Sequence, residues 1–303
     1  MPPPRRPHRA FLGLGLRLIA MVLVSTLGAM VKLAETRGAS LPEIMFFRQT
    51  FAVPVVLLWI AAGPGLQVIA TRRIGAHLGR TVVGVTGMVF TFSAVILLPL
   101  AEATTLQFTA PIFATVLGAL VLHERTGIHR WSAVLLGFVG VLVIAQPGSG
   151  TFPALGTAVG LTAALFSATV AILLRQIGRT ESASTTVFWF SALSVPPLAI
   201  AYVTHLRAHD VATWALLVGI GLVGGVGQLA LTASVRVAPV STVIPMDYSS
   251  LIWGTLWGYL LFGALPAAAT WAGAPLIIAS GLYIVYREHR LRLRQTEAPP
   301  AVT

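Results

Sequence analysis

Residues 98–125 read LPLAEATTLQFTAPIFATVLGALVLHER, and from Ala103 to Leu122 this stretch carries no charge at all. A helix that crosses a bilayer needs about 20 predominantly apolar residues. A membrane barrel would instead alternate polar and apolar side chains in segments of about ten, and no such alternation is present. The stretch therefore predicts a spanning helix, entered past Pro99 and Glu102 and left at His123-Glu124-Arg125.

The same reading extends outward in both directions. Apolar stretches run over about 14–36, 42–62, 78–98, 102–122, 131–146, 154–174, 184–204, 211–232, 237–261 and 267–286. The breaks between them are short and hold Pro, Gly or charge, as at Gly63-Pro64-Gly65 and Pro147-Gly148-Ser149-Gly150. The totals agree: of 303 residues, 56% are hydrophobic and 10% charged, with a mean hydropathy of +0.86. Soluble chains carry about 25% charge, so a soluble domain is excluded. The first stretch follows Arg5, Arg6 and Arg9 as a secretory leader would, yet it exceeds a leader's apolar core of about 7–15 residues. It reads as the first span of an uncleaved chain. Cysteine is absent, which excludes disulfide frameworks, iron–sulfur clusters and thiol catalysis.

The net charge of +11 has a topological explanation. With the amino terminus inside, sixteen of the twenty Lys and Arg residues fall on the cytoplasmic side, among them Arg17, Arg72, Arg73, Arg80 and Arg236. Lys32, Arg37 and Arg207 fall outside, and Arg48 lies within a span. That bias places both termini in the cytoplasm of a cell inner-membrane protein and removes the need for a nucleic-acid partner.

The two halves of the chain are similar. Met45 through Pro54 aligns with Val187 through Pro196 at a shift of 142, and Ala101, Thr104 and Thr105 align with Ala238, Ser241 and Thr242 at a shift of 137. The second shift also lays Gly87 on Gly224. A repeat of five spans starts its second copy on the opposite side of the membrane, so the halves are inverted. The expected organisation is a cytoplasmic tail 1–13, a first five-helix repeat 14–146, an extracytoplasmic linker 147–153, a second repeat 154–286 and a cytoplasmic tail 287–303. The fold class is an all-α membrane protein of ten transmembrane helices.

Lys32, Pro42 with Phe46-Phe47-Arg48, Leu98-Pro99-Leu100-Ala101-Glu102-Ala103-Thr104, Leu122-His123-Glu124-Arg125, and then Trp131, Gly137 through Ile144 and Pro147-Gly148 form a distinctive series. In these motifs the chain resembles the drug/metabolite transporter superfamily, in its EamA-type branch of ten-helix exporters. The second copy departs from the pattern with Phe262-Gly263-Ala264 in place of His123-Glu124-Arg125. The resemblance implies a central cavity lined by the third, fourth, eighth and ninth helices, with the first and sixth contributing. It also implies a small-metabolite substrate such as an amino acid, a nucleotide sugar or a vitamin.

Within the spans, polar groups are costly and few; an ionised side chain at mid-bilayer costs about 2.5–3.5 kcal/mol. Asp247 lies ten residues past Val237, about 15 Å into the membrane along a continuous α-helix. It is a candidate proton carrier or partner for a substrate ammonium, or else a structural acid bonded to Tyr248 or a neighbouring helix. Arg48 suits a substrate carboxylate or a carboxylate on another helix, or snorkels to the outer interface. Lys32, the single lysine beside 19 arginines, offers a charge switch, or snorkels, or pairs with Glu35. Glu102 stands at a helix start, where the macrodipole favours it. Gln107 and Gln228 are candidates for substrate hydrogen bonds or for interhelical bonds. Phe92, Phe108 and Tyr248 are candidate apolar walls, and Pro111 and Pro245 candidate gate or kink positions. Gly221 with Gly225 and Gly254 with Gly258 allow close helix approach.

An intramembrane enzyme would need a metal motif, an acid pair or a nucleophile with a base. The seven histidines fall in loops, tails or span ends, and no His-Glu-x-x-His run is present. The reading is a secondary carrier, without cofactor or metal, for a small-molecule substrate: an exporter of amino acids, aromatic or otherwise hydrophobic. Protons are a candidate coupling ion, and the expected state is a monomer or weak dimer in the lipid bilayer. An uptake carrier for a vitamin or nucleoside-like compound is the alternative.

Overall fold

Hydrocarbon offers no hydrogen bonds, so a segment inside it must satisfy its backbone internally, and apolar stretches of this length fold as helices. The computed structural model describes residues 7–120, 127–146, 153–238 and 243–297. Its elements are α1 (Pro7–Thr36), α2 (Leu41–Ala62), a 3-10 turn (Leu66–Ile69), α3 (Ile74–Leu97), α4 (Leu100–Gln107), α5 (Ala110–Leu120), α6 (Ile128–Ala145), α7 (Ala154–Ile177), α8 (Ala183–Val203), α9 (Val211–Val237), a 3-10 segment (Ile244–Ser249), α10 (Ser250–Phe262) and α11 (Ala268–Glu297). Among the described residues no strand is present. Among the described residues eight helices, with α4 and α5 counted as one, are long and apolar enough to cross a membrane, and Trp131–Ala145 within α6 is a shorter apolar helix. The motif residues His123, Glu124 and Arg125, the alignment positions Ser241 and Thr242, and linker positions 147–152 lie outside the described residues.

Two sequence stretches differ from the continuous spans expected. The stretch 102–122 is divided between α4 and α5, and 237–261 contains the end of α9, the 3-10 segment and α10. In both, proline sits in the first turn of the resumed segment, Pro111 in α5 and Pro245 in the 3-10 segment. There the missing N–H has no intrahelical role. Elsewhere the helix starts follow ordinary capping chemistry. The Ser182 hydroxyl and the Asp210 carboxylate accept the amides of Thr185 and Thr213, each at 3.1 Å. Hydrogen bonds from Thr213 hold the exposed Asp210 carboxyl below its usual range.

The long contacts set the core. α1 lies along α9, α3 along α7, α2 against α8 and α9, and α6 along α11. One apolar core gathers Leu27, Val31, Ile44, Met45, Met88, Phe92, Leu217 and Ile220, and a second gathers Phe108, Ile112, Val141, Ile144 and Ile277. Large apolar side chains also stand on the outside, such as Leu58 at 71% and Ile200 at 73% exposure, where a bilayer is their solvent. α6 and α11 approach so closely that a Cβ on Gly140 would stand 2.9 Å from the Gly273 carbonyl oxygen, and one on Gly273 2.6 Å from that of Gly140. Gly221 and Gly225 seat α9 against Phe47 and Ala52 of α2 in the same way, and Gly254 seats α10 against Thr104.

Lys32 joins α1 to the end of α3. Pro99 has no N–H to return to the Val95 carbonyl, so the last turn of α3 is left with orphan acceptors. The Lys32 ammonium supplies the donors, reaching the carbonyls of Val95 at 3.1 Å, Ile96 at 3.4 Å and Leu98 at 2.5 Å. The positive charge also meets the negative end of the helix dipole. Lys32→Met is expected to cost about 1–3 kcal/mol, the penalty of leaving buried acceptors unmade, read as a lower thermal midpoint of the purified protein in detergent. A wild-type midpoint in that variant would show that the carbonyls find another donor. Gly140→Leu is expected to force α6 from α11 and to cost about 1–3 kcal/mol or more, measured in the same way.

Candidate functional site

The middle of α9 reads Gly221-Leu222-Val223-Gly224-Gly225-Val226-Gly227, and the missing side chains leave room for a neighbour. Arg48 of α2 fills it: a Cβ on Gly224 would lie 3.5 Å from both Cγ and Nε of Arg48. Arg48 donates from Nη1 to the Gln49 side-chain oxygen at 2.8 Å, while its Nε is buried with no partner. Gln49 is fully buried and its amide nitrogen is likewise unpartnered. Gln228 stands one turn past Gly224 and so shares the face that receives Arg48. Arg48 is thus held inside the bundle, against α9.

A second arginine is buried within another span. Arg80 is in α3, four residues before Gly84, and is 7% exposed. Its guanidinium carbon lies 3.8 Å from the centroid of the Phe190 ring on α8, and its Nε and Nη1 are buried without partners. Glu181 has other partners: its Oε1 accepts from the Thr71 hydroxyl at 2.9 Å, and its Oε2 lies 3.8 Å from His77 Nε2.

The broken segments form a separate group. Phe108, just past the end of α4, meets the Tyr248 ring edge-on at 4.8 Å, and the Tyr248 hydroxyl, unpartnered among the described residues, abuts Gly281 of α11 beside Pro111. Asp247 forms a two-pronged ion pair with Arg17 of α1, Nε to Oδ1 at 2.5 Å and Nη2 to Oδ2 at 2.6 Å. The approach to Asp247 is not the continuous α-helix expected, because Ile244–Ser249 is a 3-10 helix with a rise of about 2.0 Å per residue.

The other candidates are dispersed. Gln107 donates to the Ser167 hydroxyl on α7. Glu102 is 1% exposed and caps the start of α11, accepting from the Ala267 amide at 2.9 Å and the Thr270 hydroxyl at 3.2 Å. Lys32 is bound to backbone carbonyls at the end of α3 rather than to Glu35. Phe92 lies in the first apolar core, away from Phe108 and Tyr248. Arg17 and Arg80, assigned to the cytoplasmic side by the charge bias, both lie within helices, Arg17 paired with Asp247 and Arg80 over the Phe190 ring. Removing them leaves a bias of fourteen to three, which keeps the same sign. The signal that could have found them is their position inside the stretches 14–36 and 78–98.

The EamA-like transporter family matches residues 11–146 and again residues 154–286. A protein of Vibrio cholerae named as a riboflavin transporter is 28% identical over 260 residues, covering 85% of this chain and 87% of its own. A pseudopaline exporter of Pseudomonas aeruginosa is 28% identical over 269 residues, covering 87% and 93%. An S-adenosylmethionine uptake transporter of Rickettsia bellii is 26% identical over 280 residues, covering 92% and 95%. A solved crystal structure superimposes with a TM-score of 0.58 at 20% identity, covering 93% of this chain and 98% of that one, which shows a shared fold. These names point to transport rather than catalysis. With apolar helices of membrane-crossing length and a family match in each half, the chain is a multi-pass membrane protein that belongs to the EamA-like transporter family.

Proposed function

We propose that the chain is an inner-membrane secondary carrier of ten spans, built as two inverted five-helix halves with both termini cytoplasmic, and that it works by alternating access. The observation that carries this reading is the pattern of helix contacts. The sequence repeat pairs α1 with α7, α2 with α8, α3 with α9 and α6 with α11. Exchanging the halves turns the α1–α9 contact into the α7–α3 contact, and leaves α2–α8 and α6–α11 unchanged. At the shift of 137 the break after Gln107 also falls on Ile244, where the 3-10 segment begins. Such a pseudo-twofold arrangement supports two shapes related by exchange of the halves, one open to each side. The twofold match of the family over 11–146 and 154–286 supports the same division.

The substrate is a small metabolite with a carboxylate, held by Arg48 and oriented by Gln228, and Phe108 and Tyr248 of the broken spans are further candidate contacts. An amino acid with a hydrophobic side chain, exported, is the simplest compound of that description. The relatives named for riboflavin and for S-adenosylmethionine uptake favour a second reading, an uptake carrier. Counterflow of labelled amino acids and vitamins in proteoliposomes, with recovered substrate chemically unchanged, tests carrier function and substrate together.

Asp247 and Arg17 tie α1 to the broken ninth span. Proton uptake by Asp247 would release Arg17, which makes the pair a coupling device. Asp247→Asn is expected to lower flux at least about tenfold, as the loss of roughly 1.4 kcal/mol of differential stabilisation would, and to abolish any response to a pH gradient. Adding Arg17→Gln should restore stability lost by stranding the arginine. Normal, pH-dependent flux by Asp247→Asn would remove the pair from the mechanism.

A further inference from the structure

The buried stripe of α2 runs through Met45, Gln49, Ala52, Val56 and Ile60, at the three- and four-residue spacing of one helix face. Gln49 interrupts that apolar stripe and is fully buried. Its side-chain oxygen accepts from Arg48 Nη1 at 2.8 Å, while its amide nitrogen makes no hydrogen bond. Arginine offers donors alone, so the amide must turn its oxygen toward it, and the two N–H donors are left in the core. Leaving buried donors unmade is costly, and a leucine or methionine would fill the same stripe without that cost. What the amide contributes is therefore its bond to Arg48.

A carboxylate at position 49 would bind the guanidinium more strongly, through charge-assisted bonds, and would also cancel its charge. The neutral amide answers one donor and leaves the charge whole. Among the described residues Arg48 has no carboxylate partner, and its Nε has no partner of any kind. The stem is fixed by shape: Cγ and Nε lie against Gly224, while Gly221 and Gly225 seat the α2 backbone on α9 at Phe47, Phe51 and Ala52. A guanidinium held along its stem by a glycine face and at one nitrogen by an amide keeps its planar fork in one orientation, which is what bidentate binding of a carboxylate requires. The arrangement is confined to the first half, because Phe190 and Ser191 stand at the equivalent positions of the second.

We propose that Gln49 is the positioning residue of the Arg48 site: it fixes the guanidinium plane without cancelling its charge, and so reserves that charge for a substrate carboxylate. Gln49 acts through Arg48 and need not touch the substrate. The assignment rests on the carrier reading in which Arg48 holds that carboxylate. It names the residue that sets the preference for an acid over the corresponding amide.

Thermal unfolding of the full-length protein in detergent tests the contact, and counterflow of labelled L-leucine in proteoliposomes, competed by L-leucinamide, tests its consequence. Gln49→Glu should raise the ligand-free midpoint by a few degrees, because an ion pair replaces an amide bond, and the rise should vanish when Arg48→Gln is added. The same variant should raise KM for leucine at least about tenfold, since the substrate must displace an internal carboxylate, and should erase the preference for leucine over leucinamide. Gln49→Leu keeps the charge and frees its plane, so KM should rise several-fold with little change in maximal rate. A variant that is more stable and yet binds leucine less well separates positioning from a merely structural role. An unchanged or lower midpoint in Gln49→Glu, a rise that persists without Arg48, or a wild-type KM in either Gln49 variant would each overturn the proposal. Normal kinetics in the Gln49 variants beside a defect in Arg48→Gln sinks this assignment alone, whereas wild-type leucine kinetics in Arg48→Gln sinks the carboxylate reading with it. A wild type that moves no leucine overturns the amino-acid reading, and the midpoints of the Glu variant with and without Arg48 then decide whether Gln49 holds the arginine.

Discussion

A charge within the hydrocarbon layer must be answered by something, because the solvent cannot do it. That constraint sorts the polar residues of this bundle more sharply than their identity does. Lys32 answers a break: Pro99 removes an N–H from the end of α3, and the ammonium replaces it. Glu102, three residues beyond that proline, answers the start of α11 across the bundle. The proline break between α3 and α4 is therefore held by charges from one side and itself holds another helix. Lys32, Pro99 and Glu102 work as one structural joint, and that joint fixes where the fourth span begins.

Duplication explains much of the remaining architecture, and the exceptions to it are informative. Scaffold requirements are common to both halves, so the breaks near Gln107 and Ile244 coincide, and so do the long contacts of α1 with α9 and α3 with α7. Substrate is not symmetric, and the groups that meet it need not be repeated. Arg48, Arg80 and Asp247 have Phe190, Leu217 and Ala110 at the equivalent positions. Lys32 and Glu102 are also unrepeated, yet they serve the backbone, so asymmetry alone does not mark a ligand site.

The helices were legible in the sequence because bilayer thickness sets their length and composition, and the boundaries of α2, α7 and α8 fall close to the apolar stretches. The local character of α4–α5 and of the 3-10 segment was legible only as proline positions. Whether proline breaks a span depends on what else can satisfy the freed backbone, and that is a tertiary question. Arg48, Asp247 and Gln228 stood out as polar residues deep in apolar runs. Arg17 and Arg80 did not, because positive charge near the inner end of a span is also what topology demands. Only contacts distant in sequence, 230 residues between Arg17 and Asp247, separate the two meanings.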